Sequence, residues 1–288
     1  MRKAVLICAG AVLAVSAVLL AGRLTKVDDK VSASGISKLD VQLDLAAGRF
    51  EINPGRIPEG AVITYQGQYD ESKYDFTQEF DQRQDNGKFT FSSEVKRSHS
   101  NSIDGEKNSW EFSFSPDVDC RFDIEIGAAE TSFDFSDLKV SELSLEIGAA
   151  DATIDFATPN KTRMVDLKID AGACELDINN LANARFELLT FEGGMGDFTL
   201  DFTGKFDYEA EAQINVGMGS IDIILPADIA VRLETEENWF NSIDIPKRRF
   251  DKVRGRNGVW ETENWDSASG RLTLILDVGM GSADIRFR

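Results

Sequence analysis

Histidine is almost missing from this sequence, and that absence sets the first limit on function. Of 288 residues, only His99 is a histidine. A zinc centre built on several imidazoles is excluded, and a nucleophile–His–acid triad has one candidate base with no convincing partner, in a loop of Ser, Asn, Gly and charged residues. Cysteine is scarce as well. Cys8 lies in an apolar N-terminal run, which leaves Cys120 and Cys174. They fall on repeats two strands apart, about 9–10 Å, beyond a disulfide's reach of about 7 Å. Two free thiols are expected. Positive charge is also short: 31 Lys and Arg stand against 50 Asp and Glu, a formal net charge of −19. Nucleic acid is not a partner, because phosphate binding needs a basic footprint. Electrostatic docking on anionic lipid is disfavoured for the same reason.

What is present is one short phrase written six or seven times. It reads apolar-x-apolar-acid-apolar, then Gly-small-small-acid or Ser, then a second alternating strand. The copies turn on Gly127, Gly148, Gly172, Gly194, Gly217 and Gly279, with a degenerate copy at Leu43-Asp44-Leu45-Ala46-Ala47-Gly48. Leu143-Ser144-Leu145-Glu146-Ile147 has the period of a half-buried strand. Gly148 then permits a left-handed backbone, and Asp151 suits a turn. From Gly127 to Gly217 the glycines recur every 21 to 24 residues. Such a period predicts a coil of rungs, each unable to bury its apolar edge alone. A meander of hairpins is the rival, but Gly-Ala-Ala is a corner rather than a hairpin tip. The expected fold is all-β, a right-handed β-helix-like solenoid with one hydrophobic N-terminal helix.

Residues 1–22 carry Arg2 and Lys3 ahead of an uncharged apolar run, Ala4 to Gly22. This is a signal peptide or a single-pass membrane anchor, with the rest of the chain outside the cytoplasm. Leu19 and Leu20 make a poor cleavage site, which favours the anchor over secretion. Residues 23–37 read as a linker. Residues 53–116 read as an antiparallel section, with Asp85-Asn86-Gly87 as a hairpin signal. Residues 120–225 hold the regular repeats, 227–271 an excursion, and 272–288 the final rung.

The phrases Trp110-Glu-Phe-Ser-Phe-Ser-Pro, Phe122-Asp-Ile-Glu-Ile-Gly-Ala-Ala and Val216-Gly-Met-Gly-Ser-Ile-Asp-Ile-Ile-Leu-Pro together resemble the toastrack domain. So does Gly258-Val-Trp-Glu-Thr followed by Arg271-Leu-Thr-Leu. That family includes LiaF-like cell-wall-active antibiotic response proteins and surface adhesin domains. The resemblance covers about residues 38–288. It implies a β-helix-like fold outside the membrane and a role in envelope-stress sensing or surface contact, with no established enzyme activity. LiaF-like proteins carry several membrane helices before this domain, whereas this chain has one at most. Their partnership with a membrane histidine kinase is therefore not carried over.

No catalytic, cofactor-binding or metal-binding residue is assigned. Gly193-Gly194-Met195-Gly196-Asp197 approximates a calcium-binding nonapeptide but lacks one residue before its Asp and is not reproduced next door. Glu125, Glu146, Asp170, Glu192 and Asp277 form an expected acidic ladder two residues before the turn glycine. Asp134, Asp155, Asp177, Asp201, Asp222 and Asp284 form a second one beyond it. Both suit a solvated outer face. The candidate partner surface is the basic cluster Lys247, Arg248, Arg249, Lys252, Arg254 and Arg256 with Trp239, Trp260 and Trp265, since arginines and aromatics are enriched in binding patches. A structural alternative has the tryptophans stapling the excursion and the basic residues pairing with the acidic ladder. The expected function is a non-enzymatic binding or sensing module in envelope homeostasis. Its partner would be an envelope protein or an anionic envelope component. A structural or adhesive surface domain is the alternative, and a β-helix polysaccharide-acting enzyme a remote one.

Overall fold

The computed structural model describes residues 24–55, 57–96, 107–236 and 239–288. The apolar run of residues 4–22 and His99 lie outside them. The N-terminal part holds β1 (Leu24–Ser32), β2 (Lys38–Ile52), β3 (Ala61–Asp70), β4 (Tyr74–Arg83), β5 (Asn86–Val95) and β6 (Asn108–Phe114). The middle holds β7 (Asp119–Asp134), β8 (Lys139–Asp155), β9 (Met164–Asn179), β10 (Phe186–Asp201) and β11 (Glu209–Leu225). A short helical turn, α1 (Leu181–Ala184), lies between β9 and β10. Then follow β12 (Ala230–Thr235), β13 (Asn241–Asp244), β14 (Phe250–Lys252), β15 (Val259–Thr262) and β16 (Arg271–Phe287). All the strands belong to one open sheet.

Seven long strands, β2, β7, β8, β9, β10, β11 and β16, run parallel and in register. Parallel neighbours ordinarily need a crossover of a dozen residues or more, yet residues 135–138 alone join β7 to β8. Four residues reach about 14 Å, while a straight strand of this length is about 53 Å long. Each strand must therefore double back. The ring contact between Phe191 and Phe198, 5.3 Å apart across the corner of β10, shows that it does. Every long strand is two arms joined at the glycine corner, with the core between the arms. Leu43, Ile124, Leu145, Ile169, Phe191, Ile214 and Leu276 form one inward column, every member buried.

The turn glycines do align, but a left-handed backbone is not the reason. None of the six has a positive φ. A side chain there would strike the neighbouring rung: a Cβ on Gly148 would lie 2.7 Å from the Gly127 carbonyl oxygen, and one on Gly172 2.6 Å from that of Gly148. The glycine column is a requirement of close stacking. Ala46, in the same column on β2, escapes it because no rung lies before it at that height: β5 covers the first arm of β2 and β6 the second. Positive φ occurs two residues later, at Gly196, Gly219 and Gly281 (154°, 140° and 151°).

Asparagines stitch the links between rungs. The buried Asn160 side chain accepts from the Val140 amide (3.0 Å) and donates to the carbonyls of Val140 (2.7 Å) and Ala184 (3.1 Å). Asn183 donates to the Phe156 carbonyl at 2.9 Å.

Two N-terminal expectations change. The stretch expected as a tether contains β1, which pairs antiparallel with β3 from Leu24 to Ser32; alternation of Val27 and Val31 with charge suits an edge strand rather than a free linker. The hairpin of β4 and β5 exists, but Arg83 pairs with Asn86, so its tip is Gln84-Asp85, with Gln84 at φ 59°. An aromatic cluster closes this end, with Phe91 to Trp110 at 4.8 Å and Phe91 to Phe112 at 5.0 Å.

At the other end, β16 lies directly on β11, and β12 and β13 pair parallel with its far side. β12 and β13 are therefore the two pieces of a further, broken rung. The last strand in sequence is not the last in space, because β12, β15 and β14 cover it.

Candidate interaction surfaces

The corners form a continuous ridge. Two residues before the turn glycine, Asp44, Glu125, Glu146, Asp170, Glu192, Asn215 and Asp277 occupy one column, as the sequence suggested. Asn215 interrupts it and donates to Glu192 at 2.8 Å. Lys168 sits against this column, its ammonium 2.7 Å from Asp170. The hydrogen bond and charge of Asp170, with Glu146 and Glu192 behind it, hold the Lys168 pKa above its ordinary value. A hollow of about 610 Å³ runs along the first five rungs, between Asp44 and Gly194, floored by the glycines and walled by these carboxylates.

The second expected ladder is two columns, not one. Asp134 pairs with Asp155, whereas Asp222 pairs with Asp284, and Asp177 stands beside Thr153 and Thr199. Asp134, Asp155 and Asp201 lie seven residues past their glycines, the other three only five. Identical residue types at unequal offsets cannot share a column in an in-register sheet. The split lets other side chains in between: Arg286 pairs with Asp222 at 2.8 Å and Asn180 donates to Asp155 at 2.7 Å.

One residue past the glycine, the exposed column changes character along the molecule. It is Ala128, Ala149 and Ala173 on β7, β8 and β9, then Met195, Met218 and Met280 on β10, β11 and β16. The broken rung continues it with Phe240, next to Asn241, which pairs with Gly281. Trp239 beside it is 99% exposed and Phe240 73%. The sequence reading did not single out the methionines or Phe240. The signal was there, in Gly-Met-Gly written three times and Trp-Phe where the next corner falls.

The basic cluster is divided. Trp265 is buried, with the guanidiniums of Arg232 and Arg271 over its ring at 4.5 and 5.9 Å. Trp260 packs partly buried on the core beneath the Lys252 ammonium. Arg249 lies over Phe287 and donates to the Ala227 carbonyl. Arg256 pairs with Glu234 at 3.1 Å. These five are fastened to the terminal strands, not to the acidic ladder. Lys247, Arg248 and Arg254 remain exposed and make no ion pair among the described residues. Lys247 to Arg249 line a hollow of about 370 Å³ with Glu263 and Asn264. Arg254 is on the turn that meets Thr235, through the Thr235 amide and the Gly258 carbonyl (2.8 Å). Trp239 is four residues beyond Thr235, beside Phe240 at the corner.

Gly193 to Asp197 is an ordinary corner of β10, where Asp197 accepts a hydrogen bond from Ser220. No group of three or more metal-ligating side chains occurs among the described residues. Cys120 and Cys174 are free and buried, and burial pushes their thiols up to about 12 and about 11. Cys174 takes the small corner slot opposite Gly196, the slot that Ala129 holds opposite Ala150.

The molecule is thus an all-β domain of parallel rungs with its distinctive chemistry on the corners and the terminal tip. The chain belongs to the toast_rack family: the model for the N-terminal domain of toast_rack (DUF2154) matches residues 21–179, and that for the C-terminal part of LiaF, the cell wall-active antibiotics response protein, matches residues 174–285. The two matches meet within β9, where the ladder is continuous. No curated protein matches. Among solved structures, a candidate cell adhesion protein from Clostridium sporogenes ATCC 15579 aligns with a TM-score of 0.50 at 14% identity, covering 92% of this chain and 100% of that one. A candidate adhesin from Bacteroides fragilis NCTC 9343 aligns with a TM-score of 0.38 at 11% identity, covering 93% and 98%. The first likeness shows the fold.

Proposed function

We propose that this protein is a non-enzymatic binding module of the cell envelope, held at the membrane by residues 4–22 with its rungs outside the cytoplasm. On this reading the doubled-back strands are the turns of a right-handed β-solenoid, and the exposed tip takes an anionic envelope component. Family membership supports envelope association, because the model that matches residues 174–285 is that of a cell wall-active antibiotics response protein. The observation that carries the binding role is the charge of Lys247, Arg248 and Arg254, exposed and without an ion pair among the described residues, on a chain of net charge −19. Exposed ion pairs contribute only about 0–1 kcal/mol, so stability gives little reason to gather cations and then leave them unpaired.

The test uses the full chain in phosphatidylcholine nanodiscs and purified teichoic acid as probe. Reversal of the three residues (Lys247→Glu, Arg248→Glu, Arg254→Glu) is expected to abolish a retention that salt already weakens. Unchanged retention by the triple variant would remove the tip from consideration. Protease added to intact spheroplasts is expected to degrade the rungs, and protection would reverse the topology. An adhesive surface role, suggested by the candidate adhesion protein of similar fold, would instead show as lost cell attachment with no anionic ligand bound at all.

A further inference from the structure

We propose that the corner ridge is a docking track for a cationic amphipathic helix of a partner. Its basic side chains would sit along the carboxylate column, and its apolar side chains on Met195, Met218, Met280 and Phe240. This surface selects the opposite charge from the basic tip.

Three observations converge on that occupant. The first is the apolar crest. Three methionines in register, each exposed, lead to Phe240 and Trp239. Their open apolar area is on the order of several hundred Å², at the upper end of what a monomer leaves bare. Unbranched, polarizable methionine is the side chain that adapts to varied helical partners. Buried packing does not require methionine here, since alanine fills the same slot on three earlier rungs.

The second is charge. Carboxylates flank the crest on both sides, Glu192 and Asp277 before the glycine and Asp197 after it. The hollow beside the alanines continues the acidic wall from Glu192 back to Asp44. A second copy of this chain would set like charge against like, and anionic lipid would be repelled. An apolar face bordered by cations satisfies both features. Lys168 already shows the acidic column accepting an ammonium, at 2.7 Å from Asp170.

The third is spacing. Adjacent rungs are about 4.8 Å apart, and successive turns of an α-helix rise about 5.4 Å. A helix laid along the ridge presents one side chain to nearly every rung. From Asp44 to Asp277 the column crosses six rung steps, about 29 Å, which a helix of about 20 residues spans.

The experiment measures a fluorescent 20-residue Leu/Lys peptide with an amphipathic helical pattern against the full chain in phosphatidylcholine nanodiscs. Binding is expected to weaken at least tenfold in Met195→Ser/Met218→Ser/Met280→Ser. It should weaken as much in the isosteric Glu125→Gln/Glu146→Gln/Glu192→Gln, and not at all in Lys247→Glu/Arg248→Glu. All the substituted residues are exposed, and an unchanged thermal melt certifies each fold. A peptide of the same composition, scrambled to lose its apolar face, is expected to bind at least tenfold more weakly. Equal binding of the scrambled peptide, or none of either, overturns the proposal. So does capture of free vesicles, or a dimer in solution, that the methionine variant abolishes; the ridge is then a lipid contact or a self-interface. Since the tip test has its own probe and variant, either reading can fail without the other.

Discussion

A methyl group placed on Gly148 would stand 2.7 Å from a carbonyl oxygen that cannot move without disturbing the next rung. Gly148→Ala is therefore expected to lose about 1–3 kcal/mol, read as a lower urea midpoint, despite an ordinary backbone conformation. Ala46→Gly, in the same column but with no rung before it, relieves no clash and should cost only about 0.5–1 kcal/mol of chain entropy. Equal stability of Gly148→Ala and the parent would show that close stacking is not what selects glycine. The two thiols allow a second test. With pKa values pushed up to about 12 and about 11, Cys120 and Cys174 should resist alkylation at about pH 8 and react once urea unfolds the chain. Burial also raises the phenols of Tyr65 and Tyr208. All four groups are neutral when protonated, and the fold holds that neutral form more tightly than the unfolded chain does. The stability they carry is full below the ordinary thiol value of 9.0 and is lost as pH rises through the folded values. The melting temperature should hold up to about pH 9 and decline above it; a flat profile to about pH 12 would contradict this burial.

At the level of elements, the links matter as much as the arms. Asn160 ties the start of β8 to the link ahead of β10 through three hydrogen bonds. Asn160→Ala leaves the Val140 amide and two carbonyls short of a buried partner, so a loss of about 1–3 kcal/mol is expected in denaturant titration. Asn160→Asp keeps the acceptor and loses both donated bonds, and it should not rescue. None of this was legible in the sequence, where residues 157–163 look like any polar turn. The arms were legible, because alternation and a fixed distance to glycine mark both the inward column from Leu43 to Leu276 and the carboxylate column from Asp44 to Asp277. The second-arm aspartates were not legible as two columns, because the same residue type recurs at two different offsets from glycine. The strand Leu24–Ser32 was missed because an edge strand carrying alternate charges has the composition of a linker.

For the whole molecule, local pattern predicted an all-β chain of stacked repeats and left the order of its ends open. Pairing of β2 with β5 on one arm and β6 on the other depends on contacts between segments far apart in the chain. No window of sequence contains them. The basic tip was legible as composition; its division was not, since that depends on which cations find Phe287, Trp260 or Glu234 in three dimensions. Removal of residues 271–288 tests the architecture as a unit. Both sides of β16 are paired, so the deletion exposes the edge of β11 and strips β12 and β13 of their partner. The expected outcome is aggregation of the whole domain rather than loss of one rung's worth of stability. A soluble, cooperatively melting product would show that the preceding rungs are self-sufficient.

The position of β16 also gives the chain a problem of timing. During synthesis, β12 to β15 emerge before residues 271–287 exist. In that interval the edge of β11 is open to β12, although it belongs to a strand not yet made. A chain that pairs β12 with β11 must release it again before β16 can enter. The last 18 residues thus close the structure from within rather than extend it. Refolding should show a slow phase that disappears when residues 227–270 are replaced by a short linker joining β11 to β16.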